Sequence, residues 1–117
     1  MASRSMSITL HNFTDVKLGR KNFGLSHGMW KKNSNAVPPE IVEAYQSVSF
    51  GSESDGFATG TEGHVVYTSN QGDFHIGWNN PFVGSNGFGV AVPPGFRGIH
   101  TDISGNNANV EVFIFKG

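Results

Sequence analysis

Three side chains in the middle of the sequence have the types and spacing that acid–base or metal chemistry uses. Asp73 and His75 are two positions apart, so they project from the same face of one extended strand, and His64 lies on a neighbouring predicted strand. A carboxylate and two imidazoles can bind a metal ion or transfer a proton. The alternative is a solvated face opposite Phe74 and Ile76. The alternation of polar and apolar residues in half-buried strands favours this second interpretation.

A second group of acidic residues, Glu53, Asp55 and Glu62, could supply the paired carboxylates of a glycosidase. These residues lie in a glycine- and serine-rich loop with no apolar pocket predicted around them, which is a poor place to raise a carboxyl pKa. No phosphate-binding-loop or His-Glu-x-x-His pattern occurs in the chain. We therefore predict that the protein is not an enzyme, with no catalytic residues, metal site or cofactor.

Composition limits the class of protein. The chain has 117 residues, with 16 glycines, 10 phenylalanines and no cysteine, and we predict one domain over residues 1–117. A formal net charge of −1 without a basic cluster is untypical of nucleic-acid binding. No apolar run approaches the roughly 18 residues of a membrane-spanning helix. No classical signal peptide is visible, so we expect synthesis in the cytoplasm and release by a non-classical route.

Short segments of period-two alternation predict strands, and glycine, asparagine and proline mark the turns between them. Residues 69–72 have the composition of a hairpin loop between two such strands. Strands at this spacing with little helix predict a single-domain, antiparallel all-β sandwich. The predicted core faces carry Met6, Ile8 and Leu10; Val65 and Tyr67; Phe74, Ile76 and Trp78; and Val110, Val112 and Ile114.

Three segments are less regular. Residues 22–24 are expected to interrupt the alternation that resumes after the first turn, and residues 25–32 to form a short strand carrying Trp30. Gly28 within it indicates a bulge or a close backbone approach. Residues 40–50 fit either a helical turn beginning after Pro39 or a strand. The strand is favoured because serine and valine near the end of this segment are poor helix formers.

Several aromatic residues fall at or beside predicted turns. A ring exposed on a loop suits the boundary between water and lipid headgroups, whereas rings that cap the ends of a sandwich are buried. Sequence alone leaves both interpretations open. The asparagine pairs at 79–80 and 106–107 could bind a headgroup or a sugar, although asparagine is also a common turn former. The aromatic residues are Trp30, Phe57, Trp78, Phe82, Phe88 and Phe96.

Two segments in order, GFATGTEGHVVYTSN and WNNPFVGSN, resemble the aegerolysin family, whose members are small β-sandwich proteins of fungi and bacteria. The segment LSHGMWKK is also similar to an early segment of that family. The resemblance covers most of the chain, with specific motifs over about a third of it. Its TGTEG turn and NPF-x-GSN loop are most similar to the small component of bacterial binary insecticidal toxins.

This resemblance implies a cytolytic, membrane-binding protein that recognises lipid headgroups in sphingolipid- or sterol-containing bilayers. The resemblance also implies a larger pore-forming protein partner, homo-oligomerisation, and haemolytic and insecticidal activity. Thr59 stands where fungal members carry a glutamate, which favours the bacterial branch. The lipid-binding residues that the resemblance implies are Trp30, Asp55, Phe57, Thr59, Trp78, Asn80, Pro81 and Phe82.

Two alternatives from other classes remain open. A lectin-like module would stack the same aromatic rings on sugars. A structural or self-assembling protein without cytolytic activity would use its low charge and many glycines for dense packing. Competition by free sugars selects the first alternative. Concentration-dependent assembly without any membrane affinity selects the second.

Overall fold

The protein folds as a sandwich of two β-sheets, as predicted. The computed structural model describes residues 2–32 and 36–117, which form ten strands and no helix. The strand order is β3-β5-β1-β10-β9 in the first sheet and β4-β2-β6-β7-β8 in the second. The strands are β1 (Ser5–Asn12), β2 (Leu18–His27), β3 (Met29–Trp30), β4 (Ile41–Val42), β5 (Ser47–Glu53), β6 (Thr61–Ser69), β7 (Gly72–Asn80), β8 (Gly87–Ala91), β9 (Phe96–His100) and β10 (Asn107–Lys116).

One pairing departs from the antiparallel pattern. β1 and β10 pair in parallel, with Ile8 opposite Val110 and Leu10 opposite Val112. The other pairings among the described residues are antiparallel. Parallel neighbours need a long crossover connection, and here the rest of the chain provides it. Local patterns carry no information on this pairing, because it joins the two ends of the sequence.

The alternation seen in the sequence places one face of each long strand in the core. Every residue that we assigned to a core face is buried, and Tyr67 donates its buried hydroxyl to the carbonyl oxygen of Pro39 at 2.7 Å. Burial raises the pKa of the Tyr67 phenol above its ordinary value. Each buried apolar side chain contributes about 1.5–3 kcal/mol to the folded state. The core faces predicted from alternation are therefore confirmed.

β2 differs from the sequence expectation. The predicted interruption at residues 22–24 is wrong, because β2 continues through it with a register shift between Arg20 and Asn22. The predicted strand at residues 25–32 is divided between the two sheets at Gly28, which has φ +93°. A Cβ atom at Gly28 would lie 2.5 Å from the carbonyl oxygen of Glu53. The predicted close backbone approach at this glycine is confirmed.

Residues 40–50 contain no helix, so the preference for extended structure over a helical turn is confirmed. The segment is not one continuous strand, however. A turn separates β4 from β5, and at this turn Tyr45 has a left-handed φ of +59°. Its backbone N–H donates to the carbonyl oxygen of Thr14 at 3.1 Å, which ties the turn to the loop after β1.

The molecule measures 42 × 25 × 19 Å. Five strands side by side span only about 20–25 Å, so we infer that the strands run along the longest dimension. The loops therefore gather at two ends. We call one end the loop tip, formed by residues 2–4, 54–60, 81–86 and 103–106. The other, the hairpin end, is formed by residues 13–17, 43–46, 70–71 and 93–95.

Candidate functional site

A buried amide holds the segments of the loop tip together. Asn80 Nδ2 donates to the backbone carbonyl oxygens of Ser5, Gly105 and Asn106, at 2.9, 3.1 and 3.0 Å. The side chain of Asn86 likewise donates to the carbonyl oxygen of Gly105 at 3.0 Å. Because buried carbonyl groups need partners, these contacts fix the positions of the loops relative to the sheets. The loop tip is a pre-organised surface.

A guanidinium group on this surface contacts the loop that carries Phe82. Arg4 Nε donates to the carbonyl oxygen of Pro81 at 3.2 Å, and Nη2 donates to that of Phe82 at 2.7 Å. Nη1 donates to the carbonyl oxygen of Ser3 at 2.8 Å, and the guanidinium carbon lies 4.5 Å from the centroid of the Phe82 ring. Within the described part of the chain, the ion pairs do not include Arg4. Its positive charge is therefore held in place by neutral groups.

Arg4 borders a cavity of about 260 Å³ whose wall carries no acidic side chain. Serine hydroxyl and asparagine amide groups supply polar contacts in it, and one of them, the Ser104 hydroxyl, donates to Asp102 Oδ2 at 2.6 Å. This hydrogen bond lowers the pKa of the Asp102 carboxyl. A guanidinium without an ion pair, beside a wall that carries no carboxylate, is suited to a phosphate or another oxyanion. The lining residues are Arg4, Asn80, Pro81, Phe82, Gly84, Ser85, Asn86, Ser104, Gly105 and Asn106.

Phe57 projects from the loop tip with 96% of its surface exposed. It lies between two residues with left-handed backbone, Gly56 at φ +120° and Ala58 at φ +55°. Thr59 Oγ1 closes this turn by donating to the carbonyl oxygen of Gly56 at 2.9 Å. The left-handed conformation costs a non-glycine residue such as Ala58 about 1–2 kcal/mol. A strained turn thus keeps a large ring in water, a combination typical of functional sites.

A second cavity, of about 480 Å³, lies beside the Phe57 ring. Its wall includes both signs of charge, from Lys32 and from the carboxylates Glu53 and Asp55. An aromatic ring with nearby carboxylates can hold a cationic group, and the ammonium of Lys32 can contact an anionic one. The presence of both signs of charge in this cavity suits a zwitterionic group.

Most of the lipid-binding residues expected from the sequence lie together at the loop tip. Asp55, Phe57 and Thr59 are exposed on one loop. Phe82 is 39% exposed on the neighbouring loop, and Pro81 is half-buried beside it. Their position is compatible with surface contact, and their role in lipid binding stays a prediction.

Trp78 and Asn80 do not face the surface, and the expectation that they do is wrong. Trp78 is 2% exposed and Asn80 is 1% exposed. The Trp78 indole Nε1 donates to Ser52 Oγ at 2.9 Å, and that hydroxyl is 2.6 Å from Thr61 Oγ1. Trp78 shares the core face of β7 with Phe74, as its spacing in the sequence already indicated. Both residues support the tip from below.

Trp30 takes an intermediate position. Its ring is half-buried in β3, 5.9 Å from the centroid of Phe23 and 6.2 Å from that of Trp78. Two other aromatics named in the sequence pack elsewhere: Phe88 lies 4.9 Å from the His100 ring, and Phe96 is buried in the core. Only part of the turn-associated aromatic set is therefore available to a ligand.

Two features of the tip escaped sequence reasoning. Arg4 is a single basic residue near the start of the chain, and only the fold brings it to the loop that carries Phe82. Val83 is highly exposed next to Phe82. A valine after an aromatic residue in a glycine-rich loop was the available signal for the second residue. No sequence signal pointed to Arg4.

The polar face considered for catalysis is a solvated sheet surface. Asp73 accepts hydrogen bonds from Lys21 Nζ at 2.8 Å and from Thr68 Oγ1 at 2.6 Å, and these bonds lower the pKa of its carboxyl. His64 and His75 are exposed. Within residues 2–32 and 36–117, no group of three or more histidine or acidic side chains is arranged to hold a metal ion. No helix in those residues is long and apolar enough to cross a membrane.

With this geometry established, comparison with solved structures finds a match. Nakanori, described as a lipid-binding protein, superposes with a TM-score of 0.83 over 97% of this chain and 72% of its own. The fold is shared with Nakanori. At 15% sequence identity, this likeness shows the fold alone.

Comparison of sequences finds a relative in a much larger protein. An uncharacterised protein of Dictyostelium discoideum is 36% identical over an alignment of 118 positions, which covers 98% of this chain and 10% of that protein. The chain thus spans about a tenth of the length of this relative. No protein-family model matches the chain.

Proposed function

We propose that the protein binds the surface of lipid membranes through its loop tip. The observation that carries this proposal is Phe57, a fully solvated ring held outward on a strained turn next to a second exposed apolar loop. Partial burial of such a ring in the interface contributes at most about 1.5–3 kcal/mol. The fold that this chain shares with Nakanori, which is described as a lipid-binding protein, supports the same proposal.

We infer further that the ligand is a lipid with a phosphate-bearing headgroup. The Arg4 guanidinium and the absence of acidic side chains from the cavity wall beside it suit an oxyanion. The charged cavity beside Phe57 suits the cationic part of a zwitterionic headgroup. Each basic side chain near an anionic membrane surface adds about 1 kcal/mol.

The finer part of the proposal is aegerolysin-type activity. On this view the chain is a cytolytic component that recognises sphingolipid- or sterol-containing membranes after non-classical release, and it acts with a larger pore-forming partner. The support is the ordered pair of segments around residues 57–67 and 80–86, which lie on adjoining loops and strands in the fold. A rigid sandwich that contacts lipid only through loops must either oligomerise or gain such a partner to open a membrane.

A vesicle sedimentation panel tests the proposal. Wild-type protein is mixed with vesicles of sphingomyelin, ceramide phosphoethanolamine, sterol-containing and plain phosphatidylcholine composition, and the bound fraction is measured. The matched variants are Phe57→Ala and Tyr45→Ala, since both rings are exposed on left-handed turns at opposite ends. We expect the first to weaken binding and the second to leave it unchanged. Equal behaviour of the two variants would contradict a site at the loop tip.

The same assay separates lipid binding from sugar binding. A lectin-like role is favoured by one observation, the ring of Phe57 beside the carboxylates and backbone of the charged cavity. Free sugars that compete with vesicles, or that bind while vesicles do not, would select this second function.

A further inference from the structure

A second exposed apolar area lies on the outer face of the first sheet, away from the loop tip. Phe113 on β10 is directly opposite Ile99 on β9, which is 50% exposed. Phe13, which is 54% exposed, has its ring centroid 5.8 Å from that of Phe113. Phe113 follows Asn107, the first residue of β10 after the loop tip, by six positions, or about 20 Å of strand. We call Phe13, Ile99, Phe113 and the half-buried Phe115 the side patch.

A hydrogen-bonded histidine fixes the side patch. The His11 ring stacks on Phe113 with centroids 4.8 Å apart and planes 11° apart. Its Nδ1 is hydrogen-bonded to Ser47 Oγ at 2.7 Å, and its Nε2 to Glu111 Oε1 at 2.8 Å. The rings therefore meet a partner in a defined orientation, with little side-chain entropy left to lose.

Opposite charges flank the side patch along the strands. Glu111 lies two positions before Phe113 on β10, and its side chain is half-exposed. Arg97 lies on the other side, where it is the cross-strand neighbour of Phe115. It is exposed, and no ion pair in the described part of the chain includes it. The patch thus has an apolar centre, a negative border and a positive border.

We propose that the side patch binds a second copy of this chain in an antiparallel, two-fold dimer. In such an interface the same surface meets itself, so every unlike pair of groups occurs twice. A two-fold axis that crosses the strands along the Phe113–Ile99 pair brings Glu111 of each copy to the Arg97 side of the other. The apolar rings pack around the axis, and the charges of the two borders complement each other.

This dimer has a consequence that rests on the proposed function of the loop tip. An axis perpendicular to the strands turns one copy end over end, so the two loop tips point in opposite directions. Because the strands lie along the 42 Å axis of each copy, the tips are at the far ends of the assembly. A dimer of this geometry links two membrane surfaces.

Sedimentation velocity over a range of protein concentrations tests the dimer without any lipid. The variants are Arg97→Glu, Glu111→Arg and the double exchange, with Glu111→Gln as a control that keeps a hydrogen-bonding group for His11. We expect wild-type protein to associate, each single reversal to weaken dimerisation by about tenfold or more, and the double exchange to restore it. Thermal unfolding of each variant confirms that the fold is intact. Wild-type protein that stays monomeric throughout, or reversals without effect, would overturn the proposal.

Vesicle clustering, followed by light scattering, tests the arrangement of the two tips. We expect wild-type protein to cluster vesicles and Arg97→Glu to bind vesicles without clustering them. Clustering that persists in Arg97→Glu would overturn the antiparallel dimer. Failure of every variant to bind vesicles would instead reject the proposed function, and the sedimentation result would still decide the dimer.

Discussion

The two ends of the sandwich present similar exposed rings in different surroundings. At the loop tip Phe57 is flanked by a left-handed alanine, and at the hairpin end Tyr45 itself is left-handed and exposed. The tip adds Arg4, which has no ion pair in the described residues. At the hairpin end a neighbouring base, Lys116, pairs with Asp15 at 3.2 Å. The hairpin end also has a cation without an ion pair in the described residues, Lys17, but the cavity that it borders carries the carboxylate of Asp15. Ring exposure, backbone strain and a charge without an ion pair therefore do not by themselves distinguish the two ends, whereas a cation beside a cavity wall without acidic side chains does.

The largest expected effect is a loss of stability at Trp78, which supports the loop tip from below and does not lie on its surface. Trp78→Ala should lower the free energy of unfolding by about 3–5 kcal/mol, because it empties a packed site and leaves Ser52 without its indole donor. Urea unfolding measures this loss, and Tyr45→Ala is the exposed aromatic control. A Trp78→Ala protein of normal stability that no longer binds vesicles would show that Trp78 contacts lipid after all.

The next effect concerns the apolar surface of the tip. Replacing Phe57 and Val83 together with serine removes two exposed apolar side chains that have few contacts in the protein. Vesicle affinity should fall by about a hundredfold, while urea unfolding should change little. Tyr45→Ser provides the comparison at the hairpin end. A similar loss of affinity in that control would remove the distinction between the two ends.

A smaller effect on vesicle binding should come from the positive charge of Arg4. Arg4→Gln should weaken binding to anionic vesicles several-fold, as expected from about 1 kcal/mol per basic residue near the surface. The remaining affinity should depend less on salt concentration, since one screened charge is gone. Lys17→Gln at the hairpin end is the charge-matched control. Identical salt dependence of wild-type protein and Arg4→Gln would show that Arg4 serves only to hold the loop.

The smallest expected effect is a pH dependence of folding stability that arises from Asp73, near the hairpin end of the second sheet. The hydrogen bond from Lys21, with that from Thr68, lowers the pKa of Asp73 below its ordinary value of 3.8. A lowered folded-state pKa contributes stability above the ordinary value, and this contribution is lost as the pH falls through the folded-state pKa. Lys21→Gln should therefore be slightly less stable than wild type at neutral pH, and the difference should vanish in strong acid. A difference that persists in acid would exclude this origin.

Strand positions were largely predictable from the sequence because burial of one sheet face imposes alternation locally. The faces of β1, β6, β7 and β10 followed directly from it. β2 was harder, since a bulge between Arg20 and Asn22 and the continuation through residues 22–24 depend on the neighbouring strand β6. The parallel pairing of β1 with β10 depends on contacts between the two ends of the chain.

The location of the candidate site could be predicted from the sequence, but only some of its residues could. Its two loops were identified by resemblance, and Phe57 and Phe82 are exposed there. Trp78 and Asn80 belong to the support beneath the surface, as the alternation in β7 could have indicated for Trp78. Arg4 could not be found, because a cation is recognised as free only when all its neighbours are known.

The sequence by itself determined the all-β class, the core faces and the turns, because side-chain alternation and the backbone preferences of glycine, asparagine and proline act over a few residues. Only the tertiary structure decided which rings meet water, which charges lack partners and which loops share an end. Those properties depend on packing between segments far apart in the chain, and the chemistry of the loop tip arises from that packing.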